Sequence, residues 1–376
     1  MPMGTLKNTV YSMALPILGQ RCLWHAQDPV GRVLHRRHVV GACVQRLEKG
    51  ALTACYTVGF ASLEGQPRPV QKDTVFRTAS IAKMVTALLV MRLQTQGRLN
   101  VRQDISDLAG SRIRNPYCPE APITLGMLLS HTAAMADSPA YFASFQEPVD
   151  LDALLKGRQA WLPAVPGLFF HYSNLGAGMV ACLLEKHFGC SFEQLAQQEL
   201  FAPLRVRATF DASALPEGAA ADCYRVLPKA LAYDAKKRRK EAVPMREANP
   251  QRHYLAAAGG LMITAPQLAR LALLAWDGGR GFISEECLAL MKQPIGRWPE
   301  RQIPMGHGMG LLKLEDPRVC SRPVWGHQGF AYGAVNGVFF DREGNGFVQL
   351  NSGASEQRKG HLALVNRDLI HLLMKG

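Results

Sequence analysis

Ser80-Ile81-Ala82-Lys83-Met84-Val85-Thr86-Ala87-Leu88-Leu89-Val90-Met91-Arg92-Leu93-Gln94-Thr95-Gln96-Gly97 is the stretch on which the reading of this chain turns. Ile81, Met84, Val85, Leu88, Leu89 and Leu93 recur at the spacing of one helical face, and Gly97 is a natural stop. A helix from Ser80 to about Gly97 is predicted. Its first turn holds the chain's one S-x-x-K, Ser80 with Lys83. Residues i and i+3 share a helix face, so the amine can reach the hydroxyl. A serine hydroxyl is a poor nucleophile until a base takes its proton, and a desolvated lysine can be that base near neutral pH. Free N–H groups at a helix N-terminus also favour a developing oxyanion there. Taken alone the motif is weak, because a serine that only caps a helix gives the same pattern.

Outward from this helix, the texture alternates between strand and helix signals. Upstream, Val39–Val44 and Leu52–Val58 are β-prone runs around the turn signal Glu48-Lys49-Gly50, which reads as a hairpin. Thr74–Arg77 is a short extended piece. Downstream, Thr124 caps Leu125–Leu129, Asn174–Phe188 ends at Gly189, and Ser191-Phe192-Glu193-Gln194 is a capping box. Residues 212–252 read as a long polar loop. Thr264 caps a helix to Leu274; Met309–Leu314, Gly333–Phe340 and Gly346–Leu350 are β-prone; and Leu362–Leu373 is an amphipathic helix. Strands at both ends with helices between give an α+β class: one sheet built from both chain ends, with a helical region inserted. The expected divisions are an irregular lead-in at 1–37 holding at most one short helix, a sheet domain from 38–99 with 255–376, and a mainly helical insert at 100–254.

Two further motifs carry chemistry. In Tyr172-Ser173-Asn174, residues i and i+2 of an extended loop face the same way, so a phenol and an amide can line one cleft. A phenolate beside a cationic lysine would shuttle a proton to a leaving group. In His327-Gln328-Gly329, glycine lets a substrate approach the strand backbone closely. The N–H of Phe330 would then join that of Ser80 as an oxyanion hole, and His327 would offer the substrate a donor or a positive charge. Helix capping, loop packing and a satisfied core histidine explain each motif singly.

Bulk properties exclude other classes. The 376 residues are 48% hydrophobic, enough for a sizeable core. The formal net charge of +13 is partly one run, Lys236–Lys240, read as a solvated loop; without a binding motif it predicts no nucleic-acid partner. No apolar run reaches membrane length, and Pro16 interrupts the only signal-like stretch, so a cytoplasmic protein is expected, with export as the alternative. Nine cysteines without a C-x-x-C fit neither a zinc site nor a disulfide framework; a Cys43–Cys55 bridge on the hairpin is weighed and not expected. G-x-S-x-G and H-E-x-x-H are missing. Gly176-x-Gly178-x-x-Ala181 imitates a dinucleotide fingerprint, but small residues on a packed helix account for it.

The three motifs in this order are far more specific together than singly. The chain resembles the serine β-lactamase and penicillin-binding-protein superfamily, in the branch of class C β-lactamases, D-alanyl-D-alanine carboxypeptidases and related esterases. That branch uses S-x-x-K, Y-x-N and K-T-G or H-x-G, here Ser80/Lys83, Tyr172/Asn174 and His327/Gly329. Leu128-Leu129-Ser130-His131-Thr132 and Ala258-Gly259-Gly260-Leu261 also match, and the likeness runs from about Val39 to the C-terminus. The resemblance implies an antiparallel β-sheet flanked by helices with an inserted all-helical domain, and a site in the groove between. It implies acylation of Ser80, hydrolysis of the acyl-enzyme by water, no metal and no cofactor. The substrate is then a small molecule or short peptide, such as a D-amino-acid peptide or a short acyl ester. Two departures bear on this. His327-Gln328 stands where class C enzymes carry Lys-Thr, losing a permanent cation for a substrate carboxylate, and Ala133-Ala134-Met135 replaces the usual Ser-Gly-Leu. A β-lactam hydrolase and a catalytically weak binding or scaffold protein stay open as alternatives. Oligomeric state is not legible.

Overall fold

The computed structural model describes residues 24, 26–147, 149–226, 231–233, 243–297 and 305–374. The basic run at 236–240 lies outside them. Nine strands form one sheet: β1 (Gly41–Glu48), β2 (Ala51–Ser62), β3 (Arg68–Pro69), β4 (Gly296–Arg297), β5 (Met305–His307), β6 (Leu312–Leu314), β7 (Val324–Ala331), β8 (Ala334–Phe340) and β9 (Gly346–Asn351). Their order is β3-β2-β1-β9-β8-β7-β6-β5-β4, and every neighbouring pair is antiparallel. The chain ends meet at the β1–β9 seam, from Ala42 opposite Asn351 to Leu47 opposite Gly346. The fold is the α+β arrangement expected, with helices on both faces of the sheet.

Alternation along the strands explains the two faces. Cys43, Val338 and Phe340 point into one apolar cluster, where they meet α2 (Ala82–Thr95) and α5 (Ala265–Trp276). Ala42, Val44 and Phe339 point into the other, under α1 (Pro29–Arg36) and α6 (Leu364–Leu373). Side chains of successive strand residues face opposite ways, so a sheet buried on both faces reads as continuous apolar runs. The larger cluster continues through α3 (Asn174–Phe188) and α4 (Tyr254–Gly259).

Several boundaries moved for local reasons. The long helix begins at Ala82, and Ser80 sits inside a preceding 3-10 turn, Ala79–Ile81, whose Ala79 has φ +52°. Met309–Leu314 narrows to Leu312–Leu314, because Gly310 at φ +81° crosses over α2; a Cβ there would lie 2.3 Å from that of Ala87. Gly333 belongs to the β7–β8 turn at φ +98°. Leu362–Ala363 pair with Arg358–Lys359 as a small hairpin, β10 (Arg358–Lys359) and β11 (Leu362–Ala363), before α6 starts. Within 212–252, Cys223–Arg225 pairs with Leu231–Tyr233. The short helix allowed within the lead-in is α1, capped by Asp28 and packed under the sheet.

The glycine fingerprint has a packing cause. A Cβ on Gly178 of α3 would lie 1.7 Å from the Tyr254 carbonyl oxygen, so glycine lets α4 cross there.

Candidate active site

Three segments bring the motif residues together. The Ala79–Ile81 turn offers Ser80; α2 offers Lys83 one turn on; and the loop entering α3 offers Tyr172 and Asn174. Ser173 caps α3 by accepting from Gly176 N at 3.0 Å. That leaves the Asn174 side chain free for the cleft. β7 passes behind the turn so closely that a Cβ on Gly329 would lie 2.1 Å from the Thr78 carbonyl oxygen. Phe330, the next residue of the strand, is brought to the same place.

Lys83 is 3% exposed and has three oxygen neighbours. They are Ser80 Oγ at 3.1 Å, Asn174 Oδ1 at 2.9 Å and the Ala258 carbonyl at 2.5 Å. Burial lowers its pKa to about 7, and the Asp137 charge opposes the shift. The neutral amine carries two N–H groups and one lone pair. The Ala258 carbonyl can only accept. Asn174 Oδ1 is also an acceptor, because its Nδ2 donates to Asp137 Oδ2 at 2.7 Å. Both N–H groups are thereby committed, and the lone pair is left for the Ser80 hydroxyl.

Tyr172 hydrogen-bonds Ser80 from the other side. Burial pushes the phenol well up, more than its Ser80 bond and Arg358 pull it down. Tyr172 is therefore a phenol at neutral pH, which corrects the phenolate expected from sequence. Its ring stacks on His131, centroids 4.2 Å apart, and Lys83 Nζ lies 5.1 Å from its centre. His131 accepts from Ser173 N through Nδ1, at 3.3 Å. Its place is structural: it holds the loop and the phenol ring.

His327 departs from expectation more sharply. Its Nδ1 lies 2.6 Å from the Gln328 carbonyl, so Nδ1 carries the proton and donates. Burial, His307 and Lys83 drive its pKa well below the ordinary value. The ring is neutral with an accepting Nε2. It offers the substrate neither a donor nor a charge.

Two residues went unnoticed in the sequence. Asp137 accepts from Asn174 Nδ2, from Leu175 N at 2.9 Å and from Ser173 Oγ at 3.1 Å. A carboxylate at a helix N-terminus is ordinary physics, but Asp137-Ser138-Pro139 reads locally as the cap of the next short helix. His307 ends β5 and lies between His131 and His327, 4.9 and 5.7 Å from their ring centres. Burial lowers its pKa to about 4. Nothing in its neighbourhood along the chain signals this. Among the described residues no group of three or more His, Cys, Asp or Glu could hold a metal ion, and no helix is long and apolar enough to cross a membrane.

The description "Beta-lactamase" belongs to the family profile that matches residues 26–368. The chain belongs to the beta-lactamase family. This beta-lactamase-family match starts ahead of Val39, so α1 is part of it. The chain is 27% identical to Esterase EstB of Burkholderia gladioli over 90% of this chain and 93% of that one. It is 30% identical to the D-alanyl-D-alanine-carboxypeptidase/endopeptidase AmpH of Escherichia coli K12, over 39% of this chain and 40% of that one. The solved structure of EstCE1, a hydrolase with promiscuous acyltransferase activity, superposes with a TM-score of 0.73 at 22% identity, covering 97% of this chain and all of that one. The beta-lactamase-family chain is thus a serine hydrolase of amide or ester bonds.

Proposed function

We propose that Ser80 attacks the carbonyl of an amide or ester and forms an acyl-enzyme, which water then hydrolyses. The single observation that carries this reading is the Lys83 geometry. Two fixed acceptors take its N–H groups, and its lone pair meets the Ser80 hydroxyl. Lys83 accepts the Ser80 proton as the Oγ–C bond forms. The N–H groups of Ser80 and Phe330 hold the oxyanion. As the scissile C–N or C–O bond breaks, the Tyr172 phenol gives its proton to the leaving group and is reprotonated through Lys83. Water repeats the sequence on the acyl-enzyme. Asn174 binds substrate through its amide while orienting Lys83; Gly329, expected from sequence to make room for substrate, instead makes room for the Thr78–Ala79 segment and so lets the Ser80 turn lie against β7. His327 lines the site as a neutral ring. Substrates are D-amino-acid peptides or short acyl esters. A reducing, cytoplasmic setting belongs to the same reading. It is supported by Cys43, Cys55, Cys118, Cys182, Cys190, Cys287 and Cys320, which stand outside any disulfide.

The test is to incubate the protein and Ser80→Ala with p-nitrophenyl acetate and a fluorescent penicillin. Turnover and labelling that depend on Ser80 are expected. Either one surviving in Ser80→Ala sinks the mechanism. Rapid release of hydrolysed penicillin moves the substrate class to β-lactams.

A further inference from the structure

Cys43 of β1 and Cys55 of β2 stand diagonally across the first hairpin. The ladder sets Cys43 opposite Thr57 and Gln45 opposite Cys55, so the two cysteines share one face of the sheet, two residues out of step. Their sulfurs lie 3.6 Å apart. A disulfide is about 2.05 Å long, so the bond needs a further approach of about 1.5 Å, within reach of small side-chain rotations. The register shifts between Gln45 and Leu47, beside the pair, and a bulge raises the local twist of a hairpin.

The two thiols differ in setting. Cys43 is fully buried in the larger apolar cluster, whereas Cys55 packs against that cluster and stays half-buried. β3 pairs with β2 at Phe60 and Ser62, so Cys55 lies on a stretch of β2 whose outer edge has no paired strand among the described residues. The Lys72 charge acts on both sulfurs. Deeper burial makes Cys43 the poorer anion, so it keeps its proton and donates to the Cys55 sulfur. That S–H bond, aided by Lys72, brings the Cys55 thiol down to about 7. Cys55 is thus largely available as a thiolate at neutral pH, with a protonated thiol directly behind it.

We infer that Cys43 and Cys55 form a modification site for hydroperoxides, in which Cys55 is the attacking thiolate and Cys43 the resolving thiol. The Cys55 sulfur attacks one oxygen of the peroxide and the O–O bond breaks. Sulfur is oxidised to the sulfenic acid, and the other oxygen leaves as alcohol or water after taking a proton from solvent. The Cys43 sulfur then attacks that of Cys55, the S–O bond breaks, and the hydroxyl leaves as water with the Cys43 proton. Two thiols and one hydroperoxide give one disulfide, one water and one alcohol or second water. A dithiol reductant returns both thiols. Closing the bridge spares Cys55 the irreversible step to sulfinic acid. In the reducing setting proposed above the pair rests as thiols. The site lies apart from Ser80 and stands or falls independently of the hydrolase reading.

The experiment treats the reduced full-length protein, freed of reductant, with hydrogen peroxide at neutral pH. Free thiols are then blocked with N-ethylmaleimide and the protein is digested without reduction. Cys118, also half-buried, is the internal reference. A peptide linked through Cys43 and Cys55 is expected, with the intact mass lower by two hydrogens and restored by dithiothreitol. Free Cys55 is expected to disappear about threefold or more faster than free Cys118, since a larger thiolate fraction outweighs the lower nucleophilicity of a more acidic thiol. Cys43→Ser is expected to leave a Cys55 sulfenic acid that dimedone traps and that excess peroxide carries to sulfinic acid. Cys55→Ser is expected to leave Cys43 a free thiol over the same time. Cys55 oxidised no faster than Cys118 in the native protein overturns the inference. So does native Cys55 passing to sulfinic acid while Cys43 remains free. Both of these results are read without a variant, so a substitution that fails to fold leaves the test intact.

Discussion

Residue by residue, the site is governed by who holds which proton. Lys83 works as a base only when neutral, and its pKa of about 7 sets the condition. kcat/KM is therefore expected to rise with pH through about 7 and level off above it, as a pH–rate profile on p-nitrophenyl acetate will read. Asp137 raises that same pKa by its charge. Asp137→Asn removes the charge, so the rising limb is expected to move to lower pH. It also replaces a three-fold acceptor by an amide with one oxygen, so the Asn174 amide loses its fixed orientation. A fall in kcat on the order of 10-fold to 100-fold is expected, below the roughly 10²–10⁴-fold worth of a whole acid–base group. A limb that stays in place with a lower kcat would reduce Asp137 to a structural part of the loop. Ser80, Lys83, Tyr172 and Asn174 were legible because their spacing puts them on one helical face and one side of a loop. Asp137 and His307 were not, because their partners lie far along the chain, Ser173 and Asn174 36 and 37 residues from Asp137, His327 20 residues from His307 and His131 farther still.

At the level of elements, close crossings fix the catalytic geometry. The carbonyl that holds Lys83 comes from Ala258 on α4, and α4 is positioned by its crossing over Gly178 of α3. Gly178→Ala would drive a methyl group into the Tyr254 carbonyl. The two helices must separate, and the Ala258 oxygen moves with α4. Overpacking of this kind typically costs about 1–3 kcal/mol. A lower Tm is expected together with a loss of kcat, although Gly178 touches no substrate. Thermal melts and initial rates on the same preparation will show whether the two fall together. Full kcat at lowered Tm would uncouple this crossing from Lys83. The sequence already marked Gly178 as a small residue on a packed helix. Which carbonyl it met was not legible, since α4 joins α3 only in three dimensions. The same limit explains the boundary at Gly310, which sits in β-prone text where the chain crosses α2; Gly333 is instead the local turn between β7 and β8, with Tyr332 also at positive φ.

For the whole molecule, the question is what closes a sheet assembled from both chain ends. The β1–β9 seam does so by hydrogen bonding, and α1 and α6 cover the same face of it. Arg36 and Arg37 of the first end meet Asp368 of the other, at 3.1 and 2.7 Å. Arg36 is well exposed, so this pairing contributes little, on the order of 1 kcal/mol or less. The apolar contact is the larger effect. Leu34 is fully buried under the sheet. From sequence, eight residues of α1 among a basic cluster carry too short a period to show an inward face; that face exists only because α6 returns from the far end of the chain. Leu34→Ala is expected to cost about 2–5 kcal/mol, as buried leucines do. Asp368→Ala is expected to cost far less. Because the elements that carry Ser80, Lys83 and Asn174 pack in the other apolar cluster, kcat and KM of the folded Leu34→Ala enzyme should match the native values. Denaturant unfolding followed by fluorescence, beside ester turnover at low denaturant, separates the two effects. Equal losses from Leu34→Ala and Asp368→Ala would mean that charge rather than apolar burial joins the chain ends.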